Sequence, residues 1–470
     1  MRKTAILAGL AMAATLLLAG CPMGDDTQSQ PTTRLRNIDI VGARALMTGP
    51  SSMATGRAGT PARSEARNEA NDPTVLLKQL DDGSWVQVTM WDEYGSEKIQ
   101  LPADIIDLAD DWMAMSFWAS SVNGHPVWNN YLVNKLDGRA YDINNLVPGP
   151  FFDSWGVNFS PSFQGQPRAY ASADGGLFLF LGRERPHSGV MVGAEVWELY
   201  LGEIEGTATM ITPSEFSVRQ FAVDHEGNLL YDIGQFLIAR TAAGNNIALN
   251  NHPTVQNRQG ILFTGRDGII YFLASESQGT VMTLSQAYRV QITGTTAESV
   301  IFTPVSVDGS LSYFGTVFFA FGINSRLHML QFQDKIVFFN SDSWSGNFSL
   351  ISWPKTGTPI VSAGGQLGSG GSTTWGPEVT LGAGTIFVLP PPPATGIIEI
   401  DPATGAYSTI TLPSDVARIE RFEVTSNNVI IAEALSVFGN RRLIQRGNGA
   451  WETLREDVNM AESITLVRVR

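Results

Sequence analysis

The sequence predicts an all-β chain folded as a β-propeller of seven or eight four-stranded blades, and three observations predict it. The first is the texture of the chain from about Thr74 onward, where apolar runs rich in β-branched and aromatic residues are bounded by Gly, Asp and Asn. Examples are "SWVQVTMW", "GLFLFLG", "GIIYFLA", "TVFFAFG", "DKIVFFN", "GTIFVL" and "NNVIIAEAL". Such runs read as strands between tight turns. The second is recurrence. An Asp-Gly or related turn sits between two apolar runs at 171–181, 222–233, 263–273 and 305–315, and a second turn type recurs at 131–143, 396–410 and 443–454. The spacing of roughly 40–60 residues is that of propeller blades, and about 400 residues at that spacing make seven or eight of them. The third is the two ends. "LLKQLDDGSWVQVTM" (76–90) reads as the second half of a unit and "AESITLVRVR" (461–470) as the first strand of an unfinished one. Together they predict a ring closed by N- and C-terminal strands.

Each element follows from the same reading. The Asp-Gly dipeptides predict two-residue hairpins, because both central positions of such turns take positive φ. No stretch sustains a 3.6-residue period with caps, so little helix is expected; "SEARNEAND" (64–72) is the nearest candidate. Two consecutive β-sandwiches or a β-solenoid are the rival architectures, but no linker-like break divides 74–470. The Gly/Ser-rich 362–376 and the "PPPP" of 390–393 read as long loops inside blades.

Ahead of this body lies a different kind of sequence. "MRK" supplies two positive charges, and the apolar stretch from Ala5 to Gly20 is shorter than the roughly 20 residues of a membrane span. A basic head, a short apolar body and small residues at its end make residues 1–20 a secretory signal peptide. Residues 21–73 are rich in Ser, Thr, Gly, Pro and Ala and contain no aromatic residue. With little to bury, ordering them does not offset the chain entropy, so they are expected to be a flexible tether. "LRNIDIVGARALM" (35–47) is apolar enough to form a short docked strand instead, and residues 74–470 make the propeller domain.

The charge is distributed unevenly. The whole chain has a formal net charge of −14, and the signal peptide removes Arg2 and Lys3 from the positive side. The tether holds equal numbers of Arg and acidic residues, so the negative balance belongs to the propeller. That argues against a nucleic-acid partner, whose affinity rests on Lys and Arg neutralising phosphates, and against broad docking on anionic lipid.

The signal peptide ends Leu18-Ala19-Gly20-Cys21, and Cys21 is the only cysteine of the chain. These four residues resemble the lipobox of bacterial lipoproteins; an ordinary signal peptide with an accidental cysteine is the alternative. The resemblance implies that Cys21 is alkylated by a diacylglyceryl group, that cleavage falls before it, and that the freed amino group is acylated. Several chains anchor stably where a single one is marginal, each buried CH₂ contributing about 0.8 kcal/mol. In that family an Asp directly after the cysteine favours retention at the inner membrane. Here the position is Pro22, which favours the outer membrane.

Chemistry is harder to read. No G-x-x-x-x-G-K-[ST], H-E-x-x-H or G-x-S-x-G is present, and no cofactor motif or metal-ligand spacing stands out. The five histidines (125, 187, 225, 252 and 328) are widely separated, though a propeller axis can gather distant residues. Asp81–Asp82, Asp110–Asp111 and Asp224 with Glu226 hold carboxylates suited to a hard cation, yet Asp beside Gly is explained by turn formation alone. Of the 11 Trp, most are expected between blades. Trp155, Trp344 and Trp375 fall in loops and are candidates for an exposed patch contacting sugar or peptide.

"GIIEIDPATGAYSTI" and "YLVNKLDGRAYDI" resemble the repeat of quinoprotein-like propellers, in which a strand ends in Asp and a turn carries Gly. That family includes an outer-membrane assembly lipoprotein, which pairs the same anchor with the same fold. Its regular Trp-docking repeats are missing here, so no functional residue carries over. The expected function is an envelope lipoprotein held at the membrane by its lipid, whose propeller binds an envelope protein or glycan as a scaffold. The alternative is a propeller enzyme, a lyase, lactonase or glycan-active hydrolase, with its site at the axis.

Overall fold

The computed structural model describes the backbone of the strands named below, from Ile40 to Arg468, and side chains over most of residues 209–455 with a few earlier ones. The described strands form eight sheets. Blades 2 to 7 each run as a four-stranded antiparallel meander in chain order. Blade 2 comprises Ala169–Ala171, Gly176–Glu184, Met191–Tyr200 and Thr209–Met210. Blade 3 comprises Gln220–Val223, Leu229–Asp232, Leu237–Arg240 and Asn246–Ala248. Blade 4 comprises Gln259–Thr264, Ile270–Gln278, Val281–Ile292 and Val300–Val305, with the short Thr316–Val317 added. Blade 5 comprises Ser325–Gln331, Lys335–Asp342, Phe348–Pro354 and Ile360–Ser362. Blade 6 comprises Glu378–Leu381, Ile386–Leu389, Gly396–Ile400 and Tyr407–Thr411, and blade 7 comprises Val416–Val424, Ile430–Ser436, Arg441–Arg446 and Trp451–Arg455.

The remaining two sheets involve the termini. Blade 1 is a meander of Pro102–Ala109, Trp112–Val122, His125–Asn134 and Arg139–Asp142, extended by Met90–Asp92, which pairs in parallel with Arg139–Asp142, and by Glu97–Lys98. Blade 8 is ordered Trp85–Val88, Val75–Gln79, Ile40–Leu46, Glu462–Arg468. Its last two strands come from opposite ends of the chain and pair antiparallel from Ile40↔Arg468 to Leu46↔Glu462. Glu462–Arg468 also lies against Val416–Val424 and against Pro102–Ala109, so one C-terminal strand meets the first strands of both neighbouring blades.

Three expectations change in detail. The apolar run "SWVQVTMW" is not one strand: Trp85–Val88 belongs to blade 8 and Met90–Asp92 to blade 1. Ile40–Leu46 lies within the span read as a tether and forms the docked strand that was the alternative there. Its two strand partners satisfy its backbone on both sides, which its composition does not reveal. The Asp-Gly turns are longer than two residues. In 224–228 and 265–269 the amide of the fourth residue bonds back to the first carbonyl (Gly227 N to Asp224 O, 3.1 Å; Gly268 N to Gly265 O, 2.9 Å), and only that glycine has positive φ, +82° and +76°. These are three-residue-type hairpins with a bulge. Asp308–Gly309 makes no hairpin at all: Asp308 N donates to Pro359 O (2.8 Å) and Asp308 O accepts from Val361 N (2.8 Å), joining blade 4 to the outermost strand of blade 5. Among the described residues the helical content is one turn of 3₁₀ helix at Ala297–Ser299; 64–72 lies outside them.

The core is a series of apolar layers between consecutive blades. Strand alternation sends neighbouring residues to opposite layers. Ile336 and Phe338 face blade 4 with Phe263, Leu273 and Trp353, while Val337 and Phe339 face blade 6 with Val388 and Ile398. Phe387 and Leu389 turn the other way, onto Phe422, Ile430 and Ile444 of blade 7. Buried on both faces, these strands read as unbroken apolar runs, which explains their continuous hydrophobicity. Phe263, Tyr271, Phe338 and Trp353 form an aromatic knot between blades 4 and 5, with ring centroids 4.9–5.4 Å apart. Each buried side chain of this size contributes about 1.5–3 kcal/mol, and such pairs add about 0.5–1.5 kcal/mol beyond area.

Candidate functional site

First strands of neighbouring blades lie side by side, and polar side chains tie them. Gln220 is buried on the first strand of blade 3. Its Nε2 donates to the Gly260 carbonyl (2.5 Å) and to Asp232 Oδ2 (3.3 Å), and its Oε1 accepts from Leu262 N (3.0 Å). Further along the seam, Thr264 Oγ1 donates to Val223 O (2.7 Å) and accepts from Val223 N (3.1 Å). Residue numbers rise together across this seam, so the two first strands run parallel. Gln220 supplies the pairing that a strand neighbour would supply. Gly260 has no room for a side chain, since a Cβ there would fall 2.1 Å from the Leu273 carbonyl. Burial raises the Asp232 carboxyl above its ordinary range, against bonds from Gly234 N and Gln220 and the charge of Arg219.

The seam between blades 6 and 7 is built the same way but carries charge. Thr380 Oγ1 donates to Glu423 Oε2 (3.1 Å), and Ala383 N donates to Asn428 Oδ1 (2.6 Å). Asn428 has φ +63°, the only positive φ of a non-glycine among the described residues. One turn of the pleat before Thr380 stands Glu378, reachable by solvent yet crowded by protein. The crowding raises its carboxyl to about 7; Arg421 pulls it down and Glu423 pushes it up. With Arg421 and Glu423 it brings a carboxyl, a cation and a second carboxylate onto adjacent first strands.

Blade 7 continues the charge outward. Arg441 bridges Glu433 (3.2 Å) and Glu420 (3.4 Å), and Arg418 pairs with Glu420 (2.6 Å). Arg442 pairs with Asp415. Burial raises Glu433, opposed by Arg441 and Arg421 and reinforced by Glu420.

The residues singled out from the sequence fall elsewhere. Cys21, Trp155, Trp344 and Trp375 lie outside the described residues, as do Asp81–Asp82, Asp110–Asp111 and His187. Asp224 and Glu226 are turn residues: Asp224 Oδ1 accepts from Glu226 N (2.9 Å) and Asn228 N (2.8 Å), and Asn228 Nδ2 donates to Oδ2 (2.9 Å). His225 is exposed beside Gly268, His252 packs on Phe302 at 4.9 Å, and His328 is buried beside Phe339. Among the described residues no three His, Cys, Asp or Glu converge as a metal site would require. Trp353 is in the aromatic knot, and Trp451 Nε1 donates to the Thr411 carbonyl (2.9 Å), both between-blade roles. Glu378, Arg421 and Glu423 were not anticipated. The available signal was "VARIERFEV", a strand whose charges interrupt an otherwise apolar pattern.

Eight sheets of meandering strands, with first strands side by side and apolar layers between them, make the chain a β-propeller. No protein-family model matches it, and no curated protein does. Solved structures of similar fold include a puromycin-hydrolysing peptidase of Mycobacterium tuberculosis, with 12% identity and TM-score 0.37 over 76% of this chain and 53% of that one. Others are from a study of two prolyl endopeptidases (11% identity, TM-score 0.36, 92% of this chain and 58% of that one) and a Bacteroides uniformis protein proposed to be a 6-phosphogluconolactonase (11% identity, TM-score 0.38, 91% and 100%). The chain thus spans just over half the length of these peptidases. Likenesses of this size leave activity and ligand to the chain's own residues.

Proposed function

We propose that the chain is a bacterial envelope lipoprotein, anchored through Cys21, whose propeller is a rigid surface for a protein or glycan partner. The observation that carries this reading is the sequence Leu18-Ala19-Gly20-Cys21 placed between an apolar leader and a propeller. In the chemistry this implies, the Cys21 thiolate displaces the headgroup of a phospholipid to form a diacylglyceryl thioether. Water then cleaves the Gly20–Cys21 peptide bond, and the new amine takes an acyl chain from a second phospholipid. Pro22 addresses the product to the outer membrane. The acidic body does not bind anionic headgroups broadly, so the lipid does the holding. Interlocked apolar layers and seams such as Gln220–Gly260 make the blades a stiff frame, as a scaffold needs.

A second reading, an axial enzyme, is favoured by one observation: Glu378, with a carboxyl near neutrality, stands beside Arg421 and Glu423 on first strands. A carboxyl poised near the working pH suits general acid–base catalysis. Cross-linking in intact cells followed by purification under denaturing conditions tests the two together, with a screen of glycans, lactones and polyuronates beside it. The scaffold reading expects a reproducible cross-linked partner and no turnover. Turnover that Glu378→Gln abolishes, with no partner captured, replaces it by the enzyme.

A further inference from the structure

We infer that the propeller is held with one particular face toward the bilayer, the face carrying the turns between first and second strands, and presents the opposite face and its Val437–Phe438 turn away from it. This rests on the Cys21 anchor proposed above. The face is read from strand register. First strands of adjacent blades run parallel, as the pairs Gln220–Gly260 with Val223–Thr264 and Thr380–Glu423 with Ala383–Asn428 establish for two seams. Glu462–Arg468 occupies the first-strand position of blade 8 beside Val416–Val424, so Arg468 lies at the end where Val424 enters the turn 425–429. Ile40 pairs with Arg468. The chain coming from Cys21 therefore reaches the body on the face formed by turns 224–228, 265–269, 382–385 and 425–429.

Magnitudes favour this face as the one nearest the lipid. Eighteen residues lie between Cys21 and Ile40; as the tether their composition predicts, they would have a root-mean-square span of about 24 Å. Val416–Val424 has 9 residues, which makes the blade about 30 Å tall at roughly 3.3 Å per residue. Bringing the other face to the bilayer would require the segment to reach past the height of a blade, further than its relaxed span, so the face at which it enters is favoured.

The two faces differ in what they offer. Six large apolar residues are exposed among the described ones. Met210, Ile301, Ile360 and Tyr407 belong to outermost strands, on the perimeter. Val437 and Phe438 alone stand on a face, 54% and 80% exposed, in the turn joining the second and third strands of blade 7. Val437 N donates to Asp415 O (2.9 Å), which fixes this turn beside the start of Val416–Val424, on the far face. The turn is stiff: Ser436 Oγ accepts from Asn440 N (3.0 Å) and Phe438 N (3.3 Å), and Gly439 has φ +85°. At the matching turn positions the near face carries polar residues, His225 and Glu226 in one blade and Arg266 and Asp267 in the next.

The sole native cysteine is consumed by the lipid on this reading, so an engineered one is a unique free thiol. Glu226→Cys and Phe438→Cys, both at exposed turn positions, are made in the full-length lipoprotein and labelled with a small fluorophore. Each is reconstituted in phosphatidylcholine vesicles containing a nitroxide-headgroup lipid. The expected result is stronger quenching at position 226 than at 438, with both proteins floating with the vesicles. Floating protein quenched equally or more at 438 overturns the orientation and leaves the anchor standing. Protein that does not float removes the anchor, and the orientation with it.

Discussion

Gln220 and Gly260 are joined across a blade boundary: the buried side-chain amide donates to the backbone carbonyl at 2.5 Å while its oxygen accepts from Leu262 N at 3.0 Å. One side chain thereby bonds two backbone groups of the neighbouring blade. Gln220→Ala removes both bonds in a buried place, at a cost on the order of 0.5–1.5 kcal/mol each. A clear fall in melting temperature is expected. Gln220→Glu keeps the acceptor but loses the donor and sets a second carboxyl beside Asp232, so it should not rescue the loss. A melting temperature unchanged in Gln220→Ala would show that the seam is not stabilised this way.

Asn428 combines an unfavourable backbone with a useful side chain. Its Oδ1 receives Ala383 N from the neighbouring blade while its φ is +63°. Asn428→Ala loses the bond and retains the strain, costing about 1–2 kcal/mol. Asn428→Gly loses the bond but relieves the backbone, so chemical denaturation should place it between Ala and the parent. The reverse order would place the stabilisation outside this contact.

Glu378 makes stability depend on pH with a definite sign. Its carboxyl is raised from 4.5 to about 7 in the folded chain. Below 4.5 both states hold the proton and the group is neutral to stability. Between 4.5 and 7 the unfolded chain releases a proton that the folded chain keeps, so stability falls as pH rises through this window and stays lowered above it. Glu378→Gln removes the dependence. The variant should match the parent in thermal melts at pH 4 and exceed it at pH 8; a constant difference across that range would contradict the crowding of this carboxyl.

The aromatic knot and the exposed turn should respond in opposite ways. Phe338→Ala opens a cavity beside Phe263 and costs about 3–5 kcal/mol. Phe438→Ser touches only solvent and is expected within about 0.5 kcal/mol of the parent. Comparable losses in the two would mean that the turn is packed rather than displayed.

How much of this was legible in the sequence depends on whether the cause was local. The turns at 224–228 and 265–269 were legible because Asp and Gly act within five residues. Ile40–Leu46 was ambiguous, since its partner lies at the other end of the chain and its own seven residues are only mildly apolar. "SWVQVTMW" hid a crossing between sheets, because alternation reports burial and not which sheet a strand joins. The seam groups were least legible of all. Gln220, Thr380 and Glu423 matter through partners about forty residues away, and only the charges within "VARIERFEV" hinted that a first strand carries more than packing.

The proposed lipid anchor stands most directly on the chemical state of Cys21. Mass spectrometry of the mature N-terminal peptide, from protein extracted from membranes of a native-like bacterial host, reads that state. The expected result is an N-terminus at Cys21 bearing a diacylglyceryl thioether and an N-acyl chain, absent from Cys21→Ser, which should also fail to incorporate labelled fatty acid. A mature N-terminus elsewhere, a free Cys21 thiol, or lipid labelling that persists in Cys21→Ser would contradict it.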